Sequence, residues 1–86
     1  MEERKATVKN RLGIHARPSA LLVQAAKQFR SEITLVKDGL EVNGKSILGV
    51  MMLEAQVGSK ILVRAEGDDE ADAVAKMFKM IEGSFD

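Results

Sequence analysis

The apolar residues of this chain change their spacing as the sequence runs. Some stretches place one at every second position and others at every third or fourth. That switching between strand and helix periods restricts the chain to folds that mix both elements. Arg4 to Lys9 alternates, with Ala6 and Val8 on one face, and predicts a half-buried strand. Leu12-Gly13-Ile14 reads as a loop. Ala16 to Phe29 carries two helical stripes, one of Ala20, Val23 and Lys27 and the other of Leu22, Ala26 and Phe29. The second is apolar throughout and is the expected core face. Pro18 stands in the first turn, where its missing N–H costs no hydrogen bond. Lys27 and Arg30 lie where the negative end of the helix dipole favours cations.

Ile33 to Lys37 alternates again. Asp38-Gly39 is the dipeptide of a tight hairpin, and Leu40 to Val42 is its returning strand. A turn at Asn43-Gly44-Lys45 leads to Ser46, the expected cap of a short helix over Ile47 to Leu53. A strand is the alternative there, since Gly49 weakens a helix. Gly58 is expected to break the segment. Ile61 to Ala65 is the last strand. Asp69 is the expected cap of a final helix with Ala71, Val74, Phe78 and Ile81 buried, ending at Gly83. The order strand, helix, strand, strand, helix, strand, helix indicates an α+β sandwich with helices on one face of a sheet. Residues 1–86 are expected to form a single domain.

Composition narrows the function. With no cysteine, there is no disulfide framework and no Cys-based zinc site. Basic and acidic residues balance at 13 each, and the aromatic residues are three Phe without Trp or Tyr. Neither a net basic face nor a base-stacking platform results, so nucleic acid is not an expected partner. The opening Met1-Glu2-Glu3-Arg4-Lys5 lacks the apolar stretch of a signal peptide, and no run is long enough to span a bilayer. The expected compartment is the cytoplasm, without membrane insertion.

The segment that carries chemistry is Gly13-Ile14-His15-Ala16-Arg17-Pro18. His15 is the single histidine of the chain and falls at the expected N-cap of the first helix. First-turn amides and the helix dipole favour an anion there, and Arg17 adds a fork of donors suited to phosphate oxygens. Histidine changes charge near neutral pH, so a neutral ring nitrogen is available to attack a phosphoryl donor. From residue types alone, the alternative is a capping histidine beside an exposed arginine. One histidine without cysteine is a poor start for a metal site, and no second histidine serves as the base of a hydrolase.

Two motifs resolve the choice by resemblance. Gly13-Ile14-His15-Ala16-Arg17-Pro18 resembles the active-site signature of the HPr family, the histidine-containing phosphocarriers of the bacterial sugar phosphotransferase system. Gly44-Lys45-Ser46-Ile47-Leu48-Gly49-Val50-Met51 resembles that family's second signature, at the family's spacing. The resemblance covers essentially the whole chain. It implies an open-faced β-sandwich, βαββαβα, with a four-stranded antiparallel sheet under three helices. It implies a non-enzymatic monomeric carrier, without cofactor or metal, that accepts a phosphoryl group on Nδ1 of His15. Phosphorylated Enzyme I, charged by phosphoenolpyruvate, is the implied donor, and EIIA components of sugar permeases are the implied acceptors. His15 and Arg17 would be the chemical residues, with the Ala16 and Arg17 backbone contacting phosphate. Ile47, Leu48 and Met51 would form an apolar docking patch beside His15.

Ser46 has two roles to weigh. One is the helix cap. The other, implied by many family members, is phosphorylation by an ATP-dependent HPr kinase/phosphorylase. Glu54 stands where many members have glycine, and Gln24 where some carry lysine. Both departures bear on partner choice, and Glu54 also on how the short helix ends; neither touches His15 or Arg17. The alternatives are a carrier of a regulatory or nitrogen-related branch, and a Ser46-switched interaction module with an idle His15.

Overall fold

The computed structural model describes residues 1–85. Its elements, in chain order, are β1 (Glu2–Thr7), α1 (Ala16–Ala26), β2 (Glu32–Lys37), β3 (Leu40–Asn43), α2 (Ile47–Met52), β4 (Lys60–Glu66) and α3 (Glu70–Glu82). The four strands form one antiparallel sheet in the order β1-β4-β2-β3. The expected βαββαβα open-faced sandwich is therefore the observed architecture, and the short apolar segment after Ser46 is a helix.

Strand alternation decides which face is covered. Ala6, Ile33, Leu35, Ile61, Val63 and Ala65 are buried under the helices. Their neighbours along β4, Leu62 and Arg64, lie on the opposite, uncovered face. Arg64 there bonds Glu3 at 2.8 Å and lies 3.6 Å from Glu41, linking three strands. Helix α3 packs on β1 and β4, α2 packs on β3, and α1 packs against both other helices. Asp38 and Gly39 both have positive φ, 51° and 84°, as the tight hairpin turn requires.

Several boundaries differ from the sequence expectation. β1 lies two residues earlier than Arg4–Lys9, although Ala6 and Val8 are both buried as read. Val8 continues the pairing outside the strand through bonds with Ser59 and Gly58. Helix α1 stops at Ala26 rather than Phe29. Lys27 is its C-cap residue, near the end as expected, and the Lys45 ammonium, from the loop before α2, donates to the Phe29 carbonyl at 2.7 Å. The apolar face of α1 takes from both stripes, with Leu22, Val23 and Ala26 buried and Phe29 half-buried. In α3, Ala71 is exposed and Ala73 and Met77 are buried with Val74 and Ile81. The buried stripe is thus centred on 73, 77 and 81, a four-residue ladder. Phe78 lies at its flank, where the Arg4 guanidinium sits 3.8 Å from the ring centroid.

Asp69 holds the N-cap position of α3, but its side chain does not cap that helix. Its carboxylate accepts from the Arg30 and Ser31 amides at 2.9 and 3.0 Å and from the Ser31 hydroxyl. The start of α3 is thereby fastened to the α1–β2 connection. These bonds, the Ser31 hydroxyl first, lower the Asp69 pKa from 3.8 to about 2. A depressed folded pKa means the bonds stabilise the protein above the ordinary carboxylate range and are lost as pH falls. Asp69→Asn should therefore lower the urea midpoint at neutral pH. Its deficit should shrink below about pH 4 and vanish only below about pH 2, measured by urea denaturation across that range. A deficit independent of pH would mean that packing, not the charge, is responsible.

Candidate functional site

The loop between β1 and α1 begins with a four-residue turn, in which the Gly13 amide donates to the Asn10 carbonyl at 2.9 Å. Gly13 has φ +75°, a left-handed conformation that favours glycine. A Cβ there would stand 2.5 Å from the Ala55 carbonyl oxygen. The next amide, Ile14 N–H, donates to that same carbonyl at 2.8 Å. The loop is thus pressed against the segment that follows α2.

His15 follows as the N-cap of α1, with extended backbone and no side-chain capping bond. Its carbonyl accepts from the Ser19 amide at 2.9 Å, and its ring is exposed. The amides of Ala16 and Arg17 precede the first intrahelical donor and have no helical partner; Pro18 has no N–H. No acidic residue occupies the first turn. Arg17 is exposed on that turn. The structure thus has an exposed histidine, two unpartnered amides and an exposed arginine at one helix start, a place that favours an anion. Among the described residues, no group of three or more His, Asp or Glu side chains is arranged to hold a metal ion.

Ser46 caps α2. Its hydroxyl accepts from the Gly49 amide at 3.0 Å, and its carbonyl from Val50. Asn43 shapes the approach, its side chain accepting from the Lys45 amide at 2.8 Å. Within α2 only Val50 is buried. Ile47, Leu48 and Met51 are 45%, 72% and 41% exposed, and Met52, which the sequence reading did not single out, is 57% exposed. Because α1 packs on α2 and Ile14 bonds Ala55, this apolar surface belongs to the same rigid framework as His15.

The sequence reading missed Asn10, which is fully buried in the loop. Its signal was present: Asn at the first position and Gly at the fourth is a turn pattern. It also took Gly58 as the breaker of α2. The helix ends instead at Leu53 and Glu54, the latter in the left-handed region at φ +49°.

The chain is thus an open-faced sandwich with an exposed histidine at the start of its first helix. The chain matches the family model described as "PTS HPr component phosphorylation site" over residues 2–83. It is 47% identical over 85 residues to phosphocarrier protein HPr of Xylella fastidiosa (strain Temecula1), covering 99% of this chain and 96% of that protein. It is 46% identical over 82 residues to the HPr-like protein Crh of Halalkalibacterium halodurans, covering 95% of this chain and 98% of that protein. A crystal structure of HPr from Thermoanaerobacter tengcongensis superposes with a TM-score of 0.91 at 45% identity, covering 95% of this chain and 92% of that one. The chain belongs to the HPr family, the phosphocarrier proteins of the bacterial phosphotransferase system.

The φ of Glu54 has a measurable cost. A residue with a Cβ loses about 1–2 kcal/mol in the left-handed region, partly offset by the entropy glycine forfeits on folding. Glu54→Gly should therefore stabilise the protein by about 1 kcal/mol, read from chemical denaturation. A destabilised variant would show that the Glu54 side chain makes contacts that outweigh its backbone strain.

Proposed function

We propose that this protein is a cytoplasmic carrier that accepts a phosphoryl group on His15 from phosphorylated Enzyme I and donates it to EIIA components of sugar permeases. The observation that carries the reading is the exposed His15 at the N-cap of α1, beside two unpartnered amides and Arg17. An Nδ1 lone pair attacks the donor's phosphorus. The new P–N bond forms as the donor's bond to phosphorus breaks, its electron pair staying with the donor. The Ala16 and Arg17 amides and the guanidinium stabilise charge on the phosphoryl oxygens. The group stays at the surface, and release to the next partner is the reverse of the same step.

Ile47, Leu48 and Met51 form the docking patch. Flexible methionine suits a surface that must fit more than one partner. Ser46 is both the α2 cap and the site for HPr kinase/phosphorylase in a host that has one. The second reading, a Ser46-switched interaction module with an idle His15, draws support from the similarity to Crh of Bacillus subtilis, described as a catabolite repression HPr. The intact pairing of His15 with Arg17 favours the carrier. A regulatory or nitrogen-related branch would use the same chemistry, and identifying the EIIA that takes the phosphate separates it from sugar uptake.

Incubation with Enzyme I and phosphoenolpyruvate should add one acid-labile, base-stable phosphate, seen by intact mass. His15→Ala should abolish it. Arg17→Ala should slow transfer at least about tenfold and change stability by less than about 0.5 kcal/mol. Labelling of the His15→Ala variant at the parental level would sink the assignment.

A charge at Ser46 tests the docking patch. It is compatible with the start of α2, where the dipole favours it. Docking an apolar surface beside it requires desolvating that charge. Ser46→Asp should raise the apparent KM for the carrier in phosphorylation by Enzyme I, with kcat nearly unchanged. Ser46→Ala should lose about 1 kcal/mol of stability through the missing cap and keep near-normal kinetics. Unchanged kinetics for the Asp substitution would remove Ser46 from the docking surface.

A further inference from the structure

Asn10 is a fully buried amide in a loop, and burying an amide is unfavourable unless its bonds are made. Both ends of this one are satisfied, and by backbone alone. Its Nδ2 donates to the Gly13 carbonyl at 2.8 Å, and its Oδ1 accepts from the Phe85 amide at 3.1 Å. The Gly13 carbonyl and the Ile14 N–H belong to the same peptide group. Asn10 holds the carbonyl side of that group, and the Ala55 carbonyl holds its N–H side. The peptide plane is thereby clamped from two directions, one residue before His15. Gly13 alone would leave this plane free to rotate, since glycine crosses φ/ψ space readily.

The geometry points to Asn10 as a positioning residue for phosphoryl transfer, one that sets the orientation of His15 and makes it depend on the segment around Phe85. This rests on the carrier reading above. In-line transfer between two proteins needs the acceptor nitrogen held on the phosphorus axis, and small misplacements of a reacting group are costly in rate. The docking patch hangs on α2, on the Ala55 side of the clamp. Loss of Asn10 should therefore disturb the chemical step more than the docking step. Phe85 contributes through its backbone N–H and through half-buried packing against the core.

The test is phosphorylation by Enzyme I and phosphoenolpyruvate, with kcat and KM measured for the parent, Asn10→Ala, a chain ending at Ser84, and the two changes combined. Asp69→Asn is the control, because it weakens the fold away from the loop. Each protein is first checked to be folded at the assay temperature by circular dichroism. Asn10→Ala should lower kcat about tenfold or more while KM stays within about twofold. The shortened chain should lose less, and shortening should add little once Asn10 is gone, because both act through one amide. The Asp69→Asn control should transfer at the parental rate. A parental kcat for Asn10→Ala would overturn the inference, as would an equal loss in the control or a loss confined to KM. Should the Asn10→Ala chain fail to fold, the Ser84-terminated chain decides: a parental kcat there overturns the inference and a lowered one supports it. A parent that takes no phosphate would overturn the carrier reading itself, and this inference with it.

Discussion

Much of the arrangement around His15 depends on one close approach, that of Gly13 to the carbonyl of Ala55. No side chain fits between them, since even a Cβ on Gly13 would lie 2.5 Å from that oxygen. The contact lets the Ile14 amide reach the same carbonyl, and it brings the end of the β1–α1 loop onto the residues after α2. Without it, the helix that carries His15 and the helix that carries the apolar surface would be joined through side-chain packing and the bond from Lys45 to the Phe29 carbonyl. With it, they share a backbone bond. The clamp on the loop, the exposed start of α1 and the exposed face of α2 are three aspects of this constraint.

A second set of fastenings works at the far end of the helices. Asp69 joins the start of α3 to the α1–β2 connection, and Lys45 reaches back to the Phe29 carbonyl at the end of α1. Glu82 closes the other end of α3, accepting from the Thr7 amide at 2.8 Å and pairing with Lys9 at 3.1 Å, bonds that lower its pKa. Two of these carboxylates stand at the ends of α3 and reach out to amides of a neighbouring connection and strand, while Lys45 supplies a partner to the carbonyl just beyond α1. The charges are thus concentrated at junctions between elements, while the uncovered face of the sheet carries the cross-strand pairs of Arg64.

The elements and their order were legible because they rest on local rules. Alternation marked Ala6 and Val8 for one face and Ile33 to Lys37 as a strand; Asp38-Gly39 marked the hairpin; Ser46 marked the α2 cap. What escaped were the outcomes set by residues distant in sequence. Asp69 has the composition of an N-cap, yet the Ser31 hydroxyl and two amides some 38 residues away claim its carboxylate. Ala71 fits an apolar stripe as well as Ala73 does, and only the seat of α3 on β1 and β4 decides between them. Of the candidate site, the helix positions of His15, Arg17 and Ser46 were legible, His15 and Ser46 as N-caps and Arg17 in the first turn of α1. At Asn10 only the turn could have been read; the bond of its side chain to Phe85 and the loop's other anchor at Ala55 could not. Met52 was equally ambiguous until the seat of α2 left it outside.

The strand order has a consequence for how such a chain is made. β1 is paired with β4, Glu2 standing opposite Ala65, and its final amide is bonded to Glu82. Contacts this distant in sequence slow folding, because a long loop must close before they contribute. During synthesis, the first strand therefore waits for β4, Lys60–Glu66, to leave the ribosome. The loop bearing His15 waits longer still, since Asn10 finds its second partner only at Phe85. The histidine is made early and seated late, so a ribosome-bound fragment displays its sequence long before it displays its geometry.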